Sequence, residues 1–377
     1  MEKACEHNIE ICQIFVDFQK AYDSIRRDKL YAIMAHFGIP NKLIRLTKAT
    51  MEDSTNHVKI GTIMTDGFQV GNGLKQGDGL ALNLFNIALE YVIRQLSAQV
   101  TSTTILHKSV QLIGYADDTN IMGRTKRAIS EVYGELKERA KEVGLNINVE
   151  KTKAMVQSRR PGRGRALTVE DHDIEVVTRF KYLGMVLNDT NEEKEEIQAR
   201  ILAANKAYST LQSIFRSKHI HRNNKIRLYK TLIKPVLSYG SVTWTLTQTT
   251  EQMLNTFERK ILRRIYGPIQ EGGRWRPRWN NELYTLYKDL NIVEDIKISR
   301  LGWAGHIIRM EEERIPKKVL NGAFHNTRPV GRPRTRWADV VQRDALQLLG
   351  MRGWRRRAEN RDEWSHALRE AKARKGL

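Results

Sequence analysis

The sequence predicts an α+β chain: an antiparallel sheet with packed helices, followed by a helical region and a basic C-terminal region. Three observations carry this. Ile14, Phe15, Val16 and Phe18 form a nearly continuous apolar run that reads as a buried strand interrupted by one acid, Asp17. Further on, Leu112-Ile113-Gly114-Tyr115 and Thr119-Asn120-Ile121-Met122 flank Asp117-Asp118, the pattern of a strand, a tight turn and a returning strand with both carboxylates at the tip. Around these lie segments whose apolar residues recur at helical spacing.

In order, Asp23-Ser24-Ile25 leads into a helix over residues 26–37, with Leu30, Ile33, Met34 and Phe37 as its apolar positions and Gly38-Ile39-Pro40 ending it. A second helix runs through Leu43, Ile44 and Leu46. Val58, Ile60, Ile63, Phe68 and Val70 suggest a hairpin over residues 57–70. It feeds Gly71-Asn72-Gly73-Leu74-Lys75-Gln76-Gly77-Asp78-Gly79, whose glycines allow close backbone approach to another molecule and whose Gln76 amide can bond a base or sugar. The next helix reads through Leu80, Leu84, Ile87, Ala88 and Tyr91. Beyond the Asp-Asp hairpin, residues 128–143 form an amphipathic helix on Ile129, Val132, Tyr133, Leu136 and Ala140, capped by Gly144. Arg159-Arg160-Pro161-Gly162-Arg163-Gly164-Arg165 reads as a basic exposed loop.

From 192 to 266 the pattern is helical and basic, with one stripe through Ile197, Ile201, Ala204, Tyr208 and Leu211 and another through Ile226, Tyr229, Leu232 and Ile233. The final segment carries Arg274-Trp275-Arg276-Pro277-Arg278-Trp279 and Gly331-Arg332-Pro333-Arg334-Thr335-Arg336-Trp337. Interleaved Arg and Trp can stack bases and pair phosphates. His306, His325 and His366 lack a ligand-like spacing. The divisions expected are 1–190, 191–266 and 267–377.

Asp-Asp by itself is ordinary turn chemistry. Asp17 changes the reading, because burying an unpaired carboxylate costs several kcal/mol and places this acid at a strand end beside a cation. Three Asp side chains converging from two strands stay ionised only with bound positive charge, and oxygen-only ligands suit Mg²⁺. That is the arrangement of a two-metal phosphoryl-transfer site, with metal ligands Asp17, Asp117 and Asp118.

The segments around Asp17 and Tyr115-Ala116-Asp117-Asp118 resemble motifs A and C of reverse transcriptases, specifically those of non-LTR (LINE-type) retrotransposons. Gly73-Leu74-Lys75-Gln76-Gly77-Asp78 resembles motif B, with Leu82 standing where related elements commonly carry Pro. Leu145-Asn146-Ile147-Asn148-Val149-Glu150-Lys151-Thr152-Lys153 matches motif D, and Phe180-Lys181-Tyr182-Leu183-Gly184-Met185 resembles motif E, the primer grip. The resemblance implies a right-hand polymerase palm with a helical thumb, catalytic Asp17, Asp117 and Asp118, and Lys151 as proton donor to departing pyrophosphate. It implies two Mg²⁺ ions and substrate contacts at Phe18, Tyr22, Gln76 and Gly77, with Tyr22 the steric gate against a ribose 2′-hydroxyl. Tyr182, Leu183, Gly184, Lys206, Arg222, Lys225 and Arg227 would contact nucleic acid. The partners implied are an RNA template, a DNA primer and deoxynucleoside triphosphates. The Tyr22 position and the Tyr-Ala-Asp-Asp string argue against the viral RNA-dependent RNA polymerases.

Only sixteen residues precede Asp17, with Lys3 and His7 as their cationic candidates. Family members place most of the fingers there, so the resemblance implies an N-terminally truncated member that extends a primer poorly. The rival class is a non-enzymatic nucleic-acid-binding protein derived from a decayed element.

Composition sets the remaining bounds. The 377 residues are 40% hydrophobic, no run approaches a membrane span, and the N-terminus lacks a signal-peptide pattern, so an intracellular protein away from membranes, nuclear or cytoplasmic, is expected. Cys5 and Cys12 leave no disulfide framework or cysteine-rich zinc site available. The net charge of +21 suits a polyanionic partner, and it is unevenly spread: residues 1–157 hold 20 basic and 18 acidic residues, 158–265 hold 20 and 11, and 266–377 hold 24 and 14. A near-neutral acidic site followed by basic segments is what gripping a phosphate backbone requires.

Overall fold

The computed structural model describes residues 1–52, 55–96, 110–158, 166–169, 172–322 and 335–376, and they divide into two compact units meeting at Asn191 and Glu192. The basic loop at 159–165 and Gly331 to Arg334 lie outside the described residues, as does His325. No helix among the described residues is long and apolar enough to cross a membrane.

The first unit is built on a four-stranded antiparallel sheet. Its strands are β1 (Ile11–Val16), β2 (Gln111–Tyr115), β3 (Asp118–Gly123) and β4 (Lys153–Gln157), in the spatial order β2-β3-β1-β4. All six residues of β1 are buried. The reason is that both faces are covered. Cys12, Ile14 and Val16 join a core with Leu30, Phe85, Val132 and Leu136, supplied by α1 (Arg27–His36), α2 (Ala81–Arg94) and α3 (Lys126–Glu142). Phe15, on the other face, stacks on Phe180 with ring centroids 4.1 Å apart. Phe180 belongs to a hairpin of β5 (Arg179–Tyr182) and β6 (Met185–Asn188). Its two turn residues, Leu183 and Gly184, have φ of +46° and +79°, the left-handed pair that matches strand twist in a two-residue hairpin.

Two helix ends show how the sequence closes this layer. Thr125 caps α3 by accepting from the Ala128 amide at 3.2 Å. After α3, Gly144 has φ +92°, and a Cβ there would sit 2.3 Å from the Ser24 carbonyl oxygen, so both backbone angle and space demand glycine. The hairpin expected over 57–70 is two short ladders instead, Thr55–Asn56 with Phe68–Gln69 and Lys59–Ile60 with Ile63–Met64. Its apolar side chains face water, with Ile60 and Ile63 each more than 70% exposed.

The second unit is helical. Its main helices are α4 (Glu193–Thr210), α5 (Gln248–Tyr266), α6 (Ile292–Ile308), α7 (Trp337–Leu349) and α8 (Arg361–Gly376), with a small hairpin of β7 (Ile269–Glu271) and β8 (Arg274–Arg276) after α5. Leu254, Ile261 and Ile265 of α5 share a core with Ile292, Val293 and Ile296 of α6. Residues on either side of position 266 therefore pack together in one unit, whereas the sequence suggested a division there. The second apolar stripe is broken at Tyr229–Ile233, a π-helical turn. Its extra residue per turn rotates the face, leaving Leu232 47% exposed while Tyr229 and Ile233 are fully buried.

Beside that turn lies a buried carboxylate. Glu258 accepts from the Tyr229 hydroxyl at 2.8 Å, the Tyr284 hydroxyl at 3.2 Å and the Ile292 amide at 2.9 Å. Burial raises its pKa and these donors pull it back. Arg300 and Asp344, both fully buried, pair at 2.5 Å, and Arg300 also donates to the Trp244 carbonyl. Both Arg300 contacts with Asp344 use its Oδ2, and the buried Oδ1 has no hydrogen-bond partner among the described residues, so the pair ties α6 to α7 with one acceptor unmet.

Candidate active site

The register of the sheet determines where the acids fall. Val16 pairs with Thr119 and Tyr115 pairs with Asp118. One step past Val16, Asp17 therefore leaves β1 beside Asp118 at the start of β3. Ala116 and Asp117 form the two-residue turn between β2 and β3, and Ala116 holds φ +54°. A left-handed conformation at a residue with a Cβ is strained, and here it sits at the carboxylate tip.

Electrostatics report the convergence. The Asp118 carboxyl is pushed above its usual range by burial first, then by the Asp117 charge and then by Asp17. Its neighbours reach it, but the three side chains do not form a ready cage: among the described residues no group of three His, Cys, Asp or Glu side chains is gathered to hold a metal ion. Three oxygen-only donors on adjoining strand ends, each adding to the negative potential at the next, nevertheless fit a hard divalent cation.

Backbone bonds tie the remaining motifs to this point. The Asn148 amide donates to the Asp17 carbonyl at 2.8 Å, and the Asp17 amide donates to the Thr152 hydroxyl at 3.3 Å. Lys151 lies in the turn between them, exposed, its own amide bonded to Asn148 Oδ1 at 3.2 Å. Phe18 is buried and bridges to Ile147, so its side chain packs in the core. Tyr22 stacks on Phe85 at 4.9 Å, and its hydroxyl pKa is raised by burial and then by Asp117. The gate candidate is thus within electrostatic reach of the Asp-Asp turn.

The glycine-rich loop is stitched to the segment after Asp17. Leu74 and Gly73 donate their amides to the carbonyls of Tyr22 and Ile25, both at 2.8 Å. At Gly73 (φ +83°) a Cβ would lie 2.6 Å from the Asp23 carbonyl oxygen. Gln76 and Gly77 follow, exposed in a turn. Asp78 then accepts from the Leu80 amide at 3.0 Å to begin α2, so the helix starts without a Pro at Leu82.

One site residue and one role were not apparent from sequence. Arg27, almost fully buried, donates to the carbonyls of Gly73 and Val70 at 2.8 Å and of Met51 at 2.7 Å, clamping both ends of the segment that carries the loop. The available signal was an Arg at helical spacing before Leu30 and Met34, on the inward face of its helix. The second is the role of Tyr182. Its hydroxyl lies 3.3 Å from the Asp118 carbonyl and 3.4 Å from that of Ile113, and its pKa is pushed up to about 12 by burial and by Asp118. Tyr182 therefore braces the acid-bearing hairpin from behind, while Leu183 and Gly184 remain at the exposed tip.

The expected phosphate contacts in the second unit divide. Lys206, Arg222 and Arg227 are exposed. Lys225 is buried, with its ammonium bonded to the Ser217 carbonyl at 2.7 Å. That bond closes a turn with one of its three N–H donors, and Lys225 is shielded from solvent where the other three cations are exposed.

A palm-type sheet with carboxylates at the ends of its two central strands, a pinned glycine-rich loop between the two acid-bearing segments, and a lysine turn and a bracing hairpin after them, defines a templated-polymerase class of site. The comparisons identify which one. Residues 1–187 match the family model for reverse transcriptase (RNA-dependent DNA polymerase), and the chain is similar to Pol polyproteins of R2 retrotransposable elements. It is 26% identical over 268 residues to an uncharacterized transposon-derived protein of Caenorhabditis elegans, covering 68% of this chain and 94% of that one. It is 22% identical to a retrovirus-related Pol polyprotein from the type-1 retrotransposable element R2 of Popillia japonica, covering 67% of this chain and 42% of that one. The corresponding figures for the type-2 element R2DM of Drosophila melanogaster are 21%, 74% and 28%. The chain thus spans less than half the length of these polyproteins. Among solved structures it is similar to apo telomerase from Candida tropicalis, with a TM-score of 0.40 and 15% identity, covering 78% of this chain and 51% of that one.

Proposed function

We propose that this chain catalyses RNA-templated addition of deoxynucleotides to a primer 3′-hydroxyl, using Asp17, Asp117 and Asp118 as the ligands of two Mg²⁺ ions. The observation that carries the reading is the meeting of Asp17 with the Asp-Asp turn, expressed in the raised Asp118 pKa. Bound there, the ions would activate the attacking hydroxyl and neutralise the leaving pyrophosphate. The chain's own residues then have separate tasks. Asp17 is fixed through its main chain by Asn148 and Thr152, so its carboxylate is aimed by the backbone. Tyr22, packed on Phe85, presents a ring edge that selects against a 2′-hydroxyl. Gln76 and Gly77 face the incoming nucleotide from the loop. Lys151 supplies a proton or a countercharge to departing pyrophosphate. Lys206, Arg222 and Arg227 take duplex phosphates.

The test is extension of an RNA-templated DNA primer with Mg²⁺, with an Asp117→Ala, Asp118→Ala double variant as background. Extension above background supports the reading, and Tyr22→Ala should then raise ribonucleotide use relative to deoxynucleotides. A second reading, nucleic-acid binding without catalysis, is favoured by the positive excess of residues 192–377. It gives binding with primer length unchanged.

A further inference from the structure

Tryptophan is the side chain with most to gain from burial, and this chain treats its seven unequally. Trp244, Trp354 and Trp364 are buried to within 2%. Trp275 and Trp279 are 68% and 63% exposed, close together in sequence in and just after the β7–β8 hairpin. Exposed aromatic surface on this scale calls for an occupant.

We propose that this hairpin and the turn after it form a stacking platform for single-stranded nucleic acid, with Trp275 and Trp279 receiving bases and Arg274 receiving phosphate. The inference deepens the function proposed above and rests on it for the choice of a nucleic acid as occupant, but it concerns residues beyond the matched reverse transcriptase region.

The geometry is that of a prepared surface. Trp275 pairs across the ladder with Gln270 and stands on one face of the hairpin while Arg274 and Arg276 stand on the other, so a nucleic-acid strand wrapped over the hairpin meets a ring on one side and guanidinium groups on the other. The Arg276 guanidinium lies over the Trp279 ring, 5.3 Å from its centroid. It is held there by Glu271 and by a two-pronged contact with Glu282 at 2.7 and 3.0 Å. The hairpin base is anchored as well: Arg278 donates to the Gly267 carbonyl at 3.1 Å, and Arg263 of α5 donates to the Arg278 carbonyl and to Asn280 Oδ1. A ring braced in this way loses little freedom when a base stacks on it. At the tip, a Cβ on Gly272 or Gly273 would meet nothing within 4 Å, so approach is open.

Charge selects the occupant. Arg274 is exposed and has no ion-pair partner among the described residues, and residues 192–377 hold 38 basic against 20 acidic side chains. Guanidinium groups interleaved with ring faces suit a flexible polyanion bearing flat bases; an apolar protein surface would leave those charges desolvated.

The experiment is fluorescence anisotropy of the full chain with a labelled 12-nucleotide single strand, comparing wild type with Trp275→Ala, Trp279→Ala, the double alanine, the double phenylalanine and Arg274→Ala. Each alanine should weaken binding from about fivefold to about a hundredfold, whereas phenylalanine, which keeps a stacking face, should retain most of it. Arg274→Ala should lower the slope of log affinity against log salt by about 0.7. Unchanged thermal unfolding of the alanine variants checks the fold. Wild-type affinity in the double alanine overturns the proposal, including the case in which that variant instead loses self-association and so marks a protein contact. Equal loss with phenylalanine overturns it too, since that would make the rings packing elements. Oligonucleotide binding can be read whether or not the chain extends a primer, so failure of the catalytic reading and failure of this one are separable.

Discussion

At the scale of single residues, the site shows where charge was placed against stability. Asp118 has a raised pKa, so the folded state holds its proton more tightly than the unfolded chain does. The ionised form is therefore unfavourable in the fold above that pKa, and the penalty disappears as pH falls through it. Asp118→Asn should abolish extension yet raise stability at neutral pH, by a small amount because the group faces solvent; urea unfolding checks it. Asp117→Ala should cost roughly 10²–10³ in extension rate. Arg27→Met should act in the opposite sense on stability, leaving carbonyls at Gly73, Val70 and Met51 without their donor at a cost of about 2 kcal/mol or more. The acids were legible because each interrupts an apolar run. Arg27 was not, because its meaning lies in carbonyls up to 46 residues away that no local pattern marks.

At the scale of elements, the hairpins do the positioning. Tyr182→Phe removes only a hydroxyl, so the β5–β6 hairpin and its stacking on Phe15 should persist while the Asp118 carbonyl loses its brace. Extension should fall several-fold, with primer-template affinity unchanged; a parallel loss of binding would make Tyr182 a nucleic-acid contact instead. The β7–β8 hairpin gives a pH prediction. Glu282 is held down at about 2, chiefly by the Arg276 hydrogen bonds. A depressed carboxylate contributes stability above its unfolded pKa and loses it as pH falls toward the folded value. The brace on Trp279 should thus weaken between about pH 4.5 and 2, seen as faster proteolysis at residues 267–282. The helices expected over 26–37 and 128–143 were readable from period, with ends within two residues, whereas β4 to β8 and the helices after residue 266 carry no such local pattern and were not placed. The π-helical turn was not readable, because the sequence around Tyr229 has ordinary helical spacing and the Glu258 carboxylate that the Tyr229 hydroxyl meets lies 29 residues away.

At the scale of the whole molecule, charge and chemistry occupy different units. Residues 192–377 carry most of the positive excess, so a protein ending at Asn191 should bind primer-template far more weakly and with a shallower salt dependence than the full chain. Filter binding across a salt series measures both. Equal slopes would place the phosphate contacts in the first unit.

The burial of β1 on both faces also bears on biosynthesis. Its ladder partners are β3 and β4, and the cover for its second face is the hairpin ending at Asn188. On a ribosome adding about 5–20 residues per second, this apolar strand emerges well before any of them and waits roughly ten to thirty seconds for its neighbours. During that interval it is a sticky edge on a nascent chain. Arrested nascent chains stopped before residue 150 should therefore associate with holdase chaperones, and chains long enough to expose residue 188 outside the exit tunnel should release them.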